Sequence, residues 1–404
     1  MNRIKLLLLA TVCTLSAHAQ LNGDGYYRAQ SSEQGRYIRV IDNRGSVNIS
    51  TTDADMEALR TRAGFENVVS DPSSIIYIKK MNKGYDFQSQ GTGSYQIISY
   101  EVLLDDMGDN KYWCSASKAG MTKHLADQLI DYEKLNLQVE LGYITEEQKQ
   151  ERLNNGHLVT NIAPDYEGGK YLDWNILPVK DAEGFYFGLQ PNVSASDGYY
   201  QTFYAAFPFT FLSEGMSAWY VSKVNEATGK VIIKEVTGGV PKSTPVIIKC
   251  ASQSAASNKL NVGASTSGTA NDNLLTGVYF CNPDAGPTHT NVVAYDANTM
   301  RVLGTAADGS LAFVKDNNLK YIPANTAYIT VSASAPDVLI VTDQDSPVVP
   351  GDLSGDGQVD VDDVAIVAKM ILGKTMPDPS ADLNHDGVVD VEDFAIIVKT
   401  ILNK

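Results

Sequence analysis

Two aspartate-rich segments near the C-terminus have residue types and a spacing that suit calcium binding. Residues 351–374 and 381–404 are copies of one another, and they agree at 14 of 24 aligned positions. Calcium is a hard cation that prefers about six to eight oxygen ligands, and a loop of about 12 residues supplies them from positions 1, 3, 5, 7, 9 and 12. The spacing therefore predicts two calcium loops, each leading into a helix.

Each predicted loop contributes side-chain oxygens and one backbone carbonyl. In the first loop the ligands are Asp352, Ser354, Asp356, the backbone of Gln358, Asp360 through a water molecule, and Asp363. In the second they are Asp382, Asn384, Asp386, the backbone of Val388, Asp390 and Asp393. Gly357 and Gly387 occupy position 6, where the chain must turn sharply and a Cβ atom would interfere. Because a hydroxyl is a weaker oxygen donor than an amide, we expect the second loop to bind calcium more tightly.

An acidic, solvated turn is the alternative interpretation, and the duplication in register argues against it. After each loop, apolar residues recur at i, i+3, i+4 and i+7, which predicts a helix with one buried side. The two stripes are Val364, Val367, Ala368 and Ile371, and Phe394, Ile397, Val398 and Ile401. Ile366, Met370 and Ile396 fall outside these stripes. They form either a second apolar surface for a partner or a contact with the preceding domain.

The complete pattern, D-x-[NS]-x-D-G-x-V-D-x-x-D followed by a helix and repeated once, resembles a type I dockerin. The resemblance implies a small unit that folds around two calcium ions and docks into a cohesin domain on a scaffold or surface protein, typically in polysaccharide-degrading assemblies. It also implies that loop positions 10 and 11 help to select the cohesin. These positions are Val361 and Asp362 in the first loop, and Val391 and Glu392 in the second. They differ from the Ser-Thr pair of many cellulosomal dockerins, and their mutual similarity leaves docking in two opposite orientations open. A calcium-stiffened end cap without a partner is a further alternative.

The first 19 residues are typical of an export signal. Arg3 and Lys5 precede an apolar run from Leu6 to Leu15, and Ala17-His18-Ala19 forms an A-x-A cleavage site. The run is shorter than the roughly 20 residues of a membrane span, and no later segment is predicted to cross a membrane. The net charge of −16 argues against nucleic acid and anionic membranes as partners, since both need basic patches. We therefore expect a secreted or cell-surface protein that is cleaved near Ala19.

The rest of the chain, with 21 tyrosines among its residues, is predicted to be mainly β. We predict a β-rich domain with a helical insertion at 20–195, a β-sandwich-like domain at 196–345, and a linker with the dockerin at 346–404. Helices are expected from Asp53 to Arg62 and from about Lys118 to Leu153, the latter with a capping box at Thr145 and Gln148. The segment GYYRAQSSEQGRYIRVIDN resembles the repeat of β-trefoil lectins. The segments YYQTFYAAFPFTF and LKYIPANTAYITV resemble modules of large surface proteins of anaerobic gut bacteria.

Three cysteines follow the predicted signal, namely Cys114, Cys250 and Cys281. Their odd number and wide spacing exclude a disulfide scaffold and a zinc site. One bridge between Cys250 and Cys281 and three buried thiols both remain open.

The sequence contains no G-x-S-x-G or H-E-x-x-H motif, and His124, His157 and His289 lie in no recognisable catalytic frame. His124 is expected on the surface of a helix. We therefore expect a non-catalytic adhesive or carbohydrate-binding body whose ligand is a polysaccharide or a host glycan. Trp113, Trp174 and Trp219 are its candidate sugar-stacking residues, although packing in a core is the more frequent fate of a tryptophan. The alternative is a divergent glycoside hydrolase, which needs two carboxylates about 5–10 Å apart in a cleft.

Overall fold

A computed structural model describes residues 21, 24–42, 59–81, 84–88, 103–107, 111–118, 121–128, 132–161, 170–171, 173–283, 291–343, 350–354 and 358–403. Within these ranges the chain is mainly β and ends in a pair of helices, which confirms the predicted fold class. No helix among these residues is both long enough and apolar enough to cross a membrane. The predicted export signal (1–19), His289 and linker residues 344–349 lie outside the described ranges.

The first sheet has 11 strands and is built from residues 25–178. Its strands are β1 (Gly25–Ser31), β2 (Arg36–Val40), β3 (Leu59–Ala63), β4 (Ile76–Lys80), β5 (Tyr85–Gln88), β6 (Leu103–Asp106), β7 (Lys111–Lys118), β8 (Met121–Gln128), β9 (Asn155–Asn161), β10 (Lys170–Tyr171) and β11 (Trp174–Pro178). Pairing runs β8-β9-β3-β2-β1-β11-β7 and then returns from β7 to β8, so the sheet closes on itself. We call this part the barrel sheet. Because the ring is closed, each of these seven strands has a hydrogen-bonded neighbour on both sides.

The interior of the barrel sheet is apolar, with one buried ion pair. Phe87 and Trp174 are fully buried in its core. Arg36 donates to Asp127 from Nη2 at 2.7 Å and from Nε at 3.0 Å, and Thr61 lies beside this pair. Burial raises the pKa of Asp127, and the hydrogen bonds and positive charge of Arg36 limit that rise. The bidentate geometry makes it possible for this charged pair to lie inside the sheet.

Two helices form the predicted insertion, but they are shorter than expected. They are α1 (Tyr132–Glu140) and α2 (Glu146–Asn154), which lie between β8 and β9. The capping box is confirmed, since Thr145 N donates to Gln148 Oε1 at 3.0 Å and Gln148 N donates to Thr145 Oγ1 at 3.1 Å.

Parts of both helix predictions in this region are wrong, and residues 53–58 of the first one lie outside the described ranges. Residues 59–62 belong to β3, which pairs with β2 and β9, and residues 121–128, including His124, belong to β8. In both segments, ladders to strands that are distant in sequence override the local helix propensity.

The second β unit begins at Phe187. Its strands are β12 (Phe187–Gly188), β13 (Val193–Ala195), β14 (Gly198–Phe203), β15 (Phe209–Phe211), β16 (Ser217–Asn225), β17 (Lys230–Glu235), β18 (Val246–Cys250), β19 (Lys259–Val262), β20 (Leu275–Val278), β21 (Met300–Thr305), β22 (Leu311–Val314), β23 (Thr326–Thr330) and β24 (Val338–Thr342). A 3-stranded sheet has the order β12-β19-β15, and a 10-stranded sheet has the order β13-β14-β18-β16-β17-β24-β22-β21-β23-β20.

The 10-stranded sheet curls so that its two ends meet over a single core. Ala327 N, on β23, donates to Thr202 Oγ1 on β14 at 3.0 Å. Asn325 Nδ2 donates to the Tyr204 carbonyl at 3.0 Å, and Tyr204 N donates back to the Asn325 carbonyl at 3.0 Å. The last strand, β24, lies in the interior of this sheet, parallel to β17 and antiparallel to β22.

The two β units share a packed junction. Ile75 and Tyr26, from the barrel part, pack into the core that contains Phe187, Phe203 and Phe207. The strand pairs β12–β19 and β13–β14 show that residues 187–195 associate with the second unit. Strand pairing with the second unit thus begins upstream of the boundary predicted at 195.

The C-terminal helical unit contains α3 (Val361–Ile371) and α4 (Val391–Leu402), with a 3₁₀ turn at Pro379–Ala381. Its core is a separate apolar cluster in which Val359, Val367, Ala381 and Ile397 are buried. Most residues of the predicted stripes pack in this cluster, so the helical periodicity is confirmed.

Candidate functional site

The last residues of each acidic loop also cap the helix that follows it. Asp360 is the N-cap of α3, and its Oδ1 accepts from Asp362 N at 2.9 Å, while Asp360 N donates to Asp363 Oδ2 at 2.7 Å. Asp390 and Asp393 repeat this capping box on α4, with Asp390 N donating to Asp393 Oδ2 at 3.0 Å. This structural role of position 9 was missed by the sequence reasoning, although the D-x-x-D spacing is itself a capping signal.

Asp363 and Asp393, at position 12, are both 0% exposed. Oδ1 of Asp363 accepts from Leu353 N at 2.8 Å and from Ser354 N at 2.7 Å. Oδ1 of Asp393 accepts from Leu383 N at 2.7 Å and from Asn384 N at 3.2 Å. Each carboxylate therefore joins the end of its loop to positions 2 and 3.

These backbone hydrogen bonds keep the two buried carboxylates ionised. Burial acts to raise the pKa of Asp363 and of Asp393, but the N–H donors of their own loops outweigh it, so both pKa values are lowered. No Lys, Arg or His of the described chain forms a salt bridge with either carboxylate. Two buried negative charges without a cationic side chain fit a site that receives a cation.

Positions 1 and 3 of the second loop accept hydrogen bonds from the backbone of positions 5 and 6. Asp382 accepts from Asp386 N at 3.1 Å and from Gly387 N at 2.8 Å, and Asn384 Oδ1 accepts from Asp386 N at 3.0 Å. In this conformation the carboxylates accept backbone N–H groups, and no cluster of three or more His, Cys, Asp or Glu is assembled among the described residues. Each carboxylate oxygen has a second lone pair, so the hard oxygen donor set still suits calcium.

The first loop is described only in part. Ser354 Oγ donates to Asp352 Oδ1 at 3.2 Å, and Gln358 is exposed. Asp356 and Gly357, which were predicted as a ligand and as the turn residue, lie outside the described residues.

Two residues of the second loop have a positive φ. Gly387, at position 6, has φ 89°, and a Cβ built there would meet nothing within 4 Å. The need for glycine is therefore conformational, and the expected steric interference by a Cβ is wrong. His385, at position 4, has φ 62° although it is not a glycine.

Beside the loops lies an exposed surface that is repeated on the two helices. Val361 is 71% exposed and Val391 66%, and at the helix ends Leu372 is 69% exposed and Leu402 78%. Ala365 and Ala395 are exposed between them, on the same side of each helix. We call the docking face the set Val361, Asp362, Ala365 and Leu372 together with Val391, Glu392, Ala395 and Leu402. All four residues predicted to bind a partner lie on it and are exposed.

The three apolar residues outside the stripes have different environments. Met370 packs against the core of the helical unit, Ile366 is partly buried and Ile396 is 36% exposed. Met370 therefore belongs to the core of the helical unit, and it forms neither a second apolar surface nor a contact with the preceding domain. The exposure of Ile396 argues against the end-cap interpretation, in which this surface would be covered.

The two β units together are called the β body, and their candidate residues are dispersed. Trp174 is fully buried, and its Nε1 donates to the Leu125 carbonyl at 3.0 Å, so its proposed sugar-stacking role is wrong. Trp219 is partly buried against the core of the 10-stranded sheet. Trp113 and His157 lie on β7 and β9. Cys114 and Cys250 are buried, Cys281 is partly buried, and Cys250 and Cys281 are not bridged.

Comparison with known proteins places only the C-terminal end of the chain in a family. Residues 350–402 match the family model of the dockerin type I domain, which confirms the resemblance seen in the loops. Searches of curated proteins and of solved structures return no match. The trefoil and surface-module resemblances of the β body therefore stay predictions.

Proposed function

We propose that the dockerin domain binds two calcium ions and thereby holds the docking face in the form that a cohesin recognises. Dockerins of this type bind calcium and attach the proteins that carry them to cohesin-bearing assemblies. The observation that carries the proposal is the pair of buried, ionised carboxylates, Asp363 and Asp393, which connect each acidic loop to its helix. Calcium binding to both loops adds metal–ligand free energy to a small core, as expected for metal-dependent folding.

The docking face supplies the contact with the cohesin. Its two halves match closely in chemistry, with Val361 and Val391 at position 10, Asp362 and Glu392 at position 11, and Leu372 and Leu402 at the helix ends. Exposed apolar side chains flanked by carboxylates favour a partner with an apolar patch and a basic rim. Because either half can present this set, a cohesin can engage the domain in two orientations.

The β body is the part of the protein that the dockerin would attach to the assembly. We propose that it is a secreted, non-catalytic adhesive or carbohydrate-binding protein, within an assembly for polysaccharide breakdown. The predicted export signal supports an extracellular location, and the partly buried Trp219 is a stacking candidate. The alternative is a glycoside hydrolase, which a cleft with two facing carboxylates would favour.

The attachment is tested first. The full chain is passed over immobilised cohesin domains of several sequence types, in millimolar calcium and again in chelator. Binding in calcium and loss of binding in chelator support the proposal, and calcium-independent binding or no binding contradicts it. Val361→Asp combined with Val391→Asp should abolish capture, whereas Leu212→Asp, on an exposed apolar residue of the β body, should not.

The β body is tested separately on a glycan array, with released sugar measured in parallel. Binding without release supports the adhesive proposal. Release of sugar supports the hydrolase instead, and neither binding nor release contradicts both.

A further inference from the structure

The second acidic loop contacts the docking face through the side chain of Asn384. Asn384 Nδ2 donates to Asp386 Oδ2 at 2.9 Å and to Glu392 Oε2 at 3.3 Å. Asn384 is a predicted ligand at loop position 3, and Glu392 is the docking-face residue at position 11. A single amide group therefore lies between the calcium loop and the recognition surface.

The first loop uses different chemistry at the same two positions. Ser354 replaces the asparagine, and its Oγ donates to Asp352 Oδ1 at 3.2 Å. Asp362 replaces the glutamate and is one methylene shorter. A serine has one donor where an asparagine has two, so it cannot serve its own loop and a position-11 carboxylate together.

We propose that Glu392 is a positioning residue for the second calcium site and that calcium, in return, orders Glu392 on the docking face. This inference rests on the proposed function of the loops. An asparagine amide has a carbonyl that can face a cation and an NH₂ group that can only donate. Asp386 and Glu392 hold the NH₂ group, and the carbonyl oxygen on the other side of the amide faces the backbone of its own loop, accepting from Asp386 N at 3.0 Å.

The coupling runs in both directions. If the Glu392 hydrogen bond increases calcium affinity by some factor, thermodynamic linkage requires calcium to favour that hydrogen bond by the same factor. A hydrogen bond of typical net strength corresponds to about 3- to 10-fold in affinity, and the exposure of Glu392 places its hydrogen bond in that range. The C-terminal half of the docking face is therefore expected to respond more strongly to calcium than the N-terminal half.

The test uses the full chain and calcium alone, measured by isothermal titration with chelator competition. Asp363→Asn is the common background, since it leaves the second loop as the one predicted site. Glu392→Asp retains the charge but withdraws the carboxylate from Asn384, and it should weaken calcium binding about 3- to 10-fold. Glu147→Asp is the matched control, because Glu147 is also the second helical residue after an N-cap, on α2, and it should change nothing.

A double-mutant cycle separates positioning from general electrostatics. Asn384→Ser introduces the residue type of the first loop, and in that background Glu392→Asp should have no further effect. Equal affinity of the Glu392→Asp and parent proteins overturns the inference, as does an effect of Glu392→Asp that persists in the Asn384→Ser background. A D363N chain that binds no calcium would overturn the proposed function of the second loop as well, whereas normal calcium binding without sensitivity to Glu392 overturns the inference alone.

Discussion

Arg28, on the first strand of the barrel sheet, donates a hydrogen bond of 3.1 Å from Nη1 to the carbonyl oxygen of Tyr186, where the chain enters the second β unit. The same guanidinium donates to the Ser74 hydroxyl and to the carbonyls of Val68, Val69 and Phe185. Arg28 is 2% exposed, and burial lowers its pKa to about 10, so it stays charged at neutral pH. Backbone carbonyl dipoles therefore solvate a charge that joins the two β units.

Replacement of Arg28 by Met should destabilise this junction strongly. The methionine fills similar space but leaves several buried carbonyls without a donor, so the free energy of unfolding should fall by about 3 kcal/mol. Urea denaturation followed by far-UV circular dichroism measures the change. Lys259→Met is the matched control, since Lys259 Nζ lies 4.9 Å from the Tyr186 ring centroid but is solvated, and its effect should be much smaller. Equal losses in the two variants would contradict the role of Arg28.

The dockerin should be removable from the chain, but strand β24 should not. Truncation after Asp343 keeps β24 and should leave the melting temperature of the β body within about 2 °C of that in the full chain. Truncation after Asp337 removes Leu339, which is fully buried, together with ladders to β17 and β22. It also ends the chain at the segment whose carbonyls at Ala335 and Pro336 accept from Arg301. The shorter protein should lose its cooperative melting transition in calorimetry, and a normal transition would contradict this prediction.

Local signals predict some elements of this fold and fail for others. Thr145 and Gln148 cap each other within a single turn, so the start of α2 is predictable from neighbouring residues. Residues 59–63 form a strand because Arg60 pairs with Arg39 on one side and with His157 on the other. Those partners are distant in sequence, and no local pattern specifies them.

The candidate site likewise combines features that local sequence signals predict with features that they do not. The spacing alone predicts that Asp363 and Asp393 are equivalent ligands, because position 12 is defined by counting along the loop. Their complete burial and the capping by Asp360 and Asp390 depend on how the loop closes on its helix. The contact between Asn384 and Glu392 likewise becomes visible only in three dimensions, since they lie eight positions apart in the sequence.

The Cys250 thiol should be unreactive in the native protein. Burial raises its pKa to about 12, so almost no thiolate exists at pH 8. Labelling with iodoacetamide followed by peptide mass spectrometry should find Cys250 modified in guanidinium but not in buffer. The unfolded thiol ionises near pH 8.5, whereas the native thiol stays protonated up to about pH 12. Its stabilising contribution is therefore complete below pH 8.5 and falls by about 1.4 kcal/mol per pH unit above it. Cys250→Ala should lack this component, and an identical pH slope in both proteins would contradict the assignment.

Replacement of His385 by Gly should stabilise the dockerin. His385 has φ 62°, a conformation that disfavours a side chain with a Cβ, and the first loop has Gly355 at the equivalent position. The free energy of unfolding in saturating calcium should rise by about 1 kcal/mol, measured by denaturation of the full chain. Gly387→Ala, at φ 89°, should change it by a similar amount in the opposite direction. Changes of the same sign in the two variants would contradict the backbone argument.

Replacement of Asp363 or Asp393 by Asn should remove one calcium ion each. The amide retains one acceptor oxygen but loses the charge, and its NH₂ group replaces an oxygen that accepts from the N-cap backbone. Native mass spectrometry in calcium should find two ions on the parent protein, one on each single variant and none on the double variant. Asp378→Asn is the control, because Asp378 is exposed between the loops and its side chain accepts only from Ser380 N among the described contacts. It should keep both ions. Two ions on either single variant would exclude position 12 as a required ligand, and loss of both ions from one substitution would contradict two independent calcium sites.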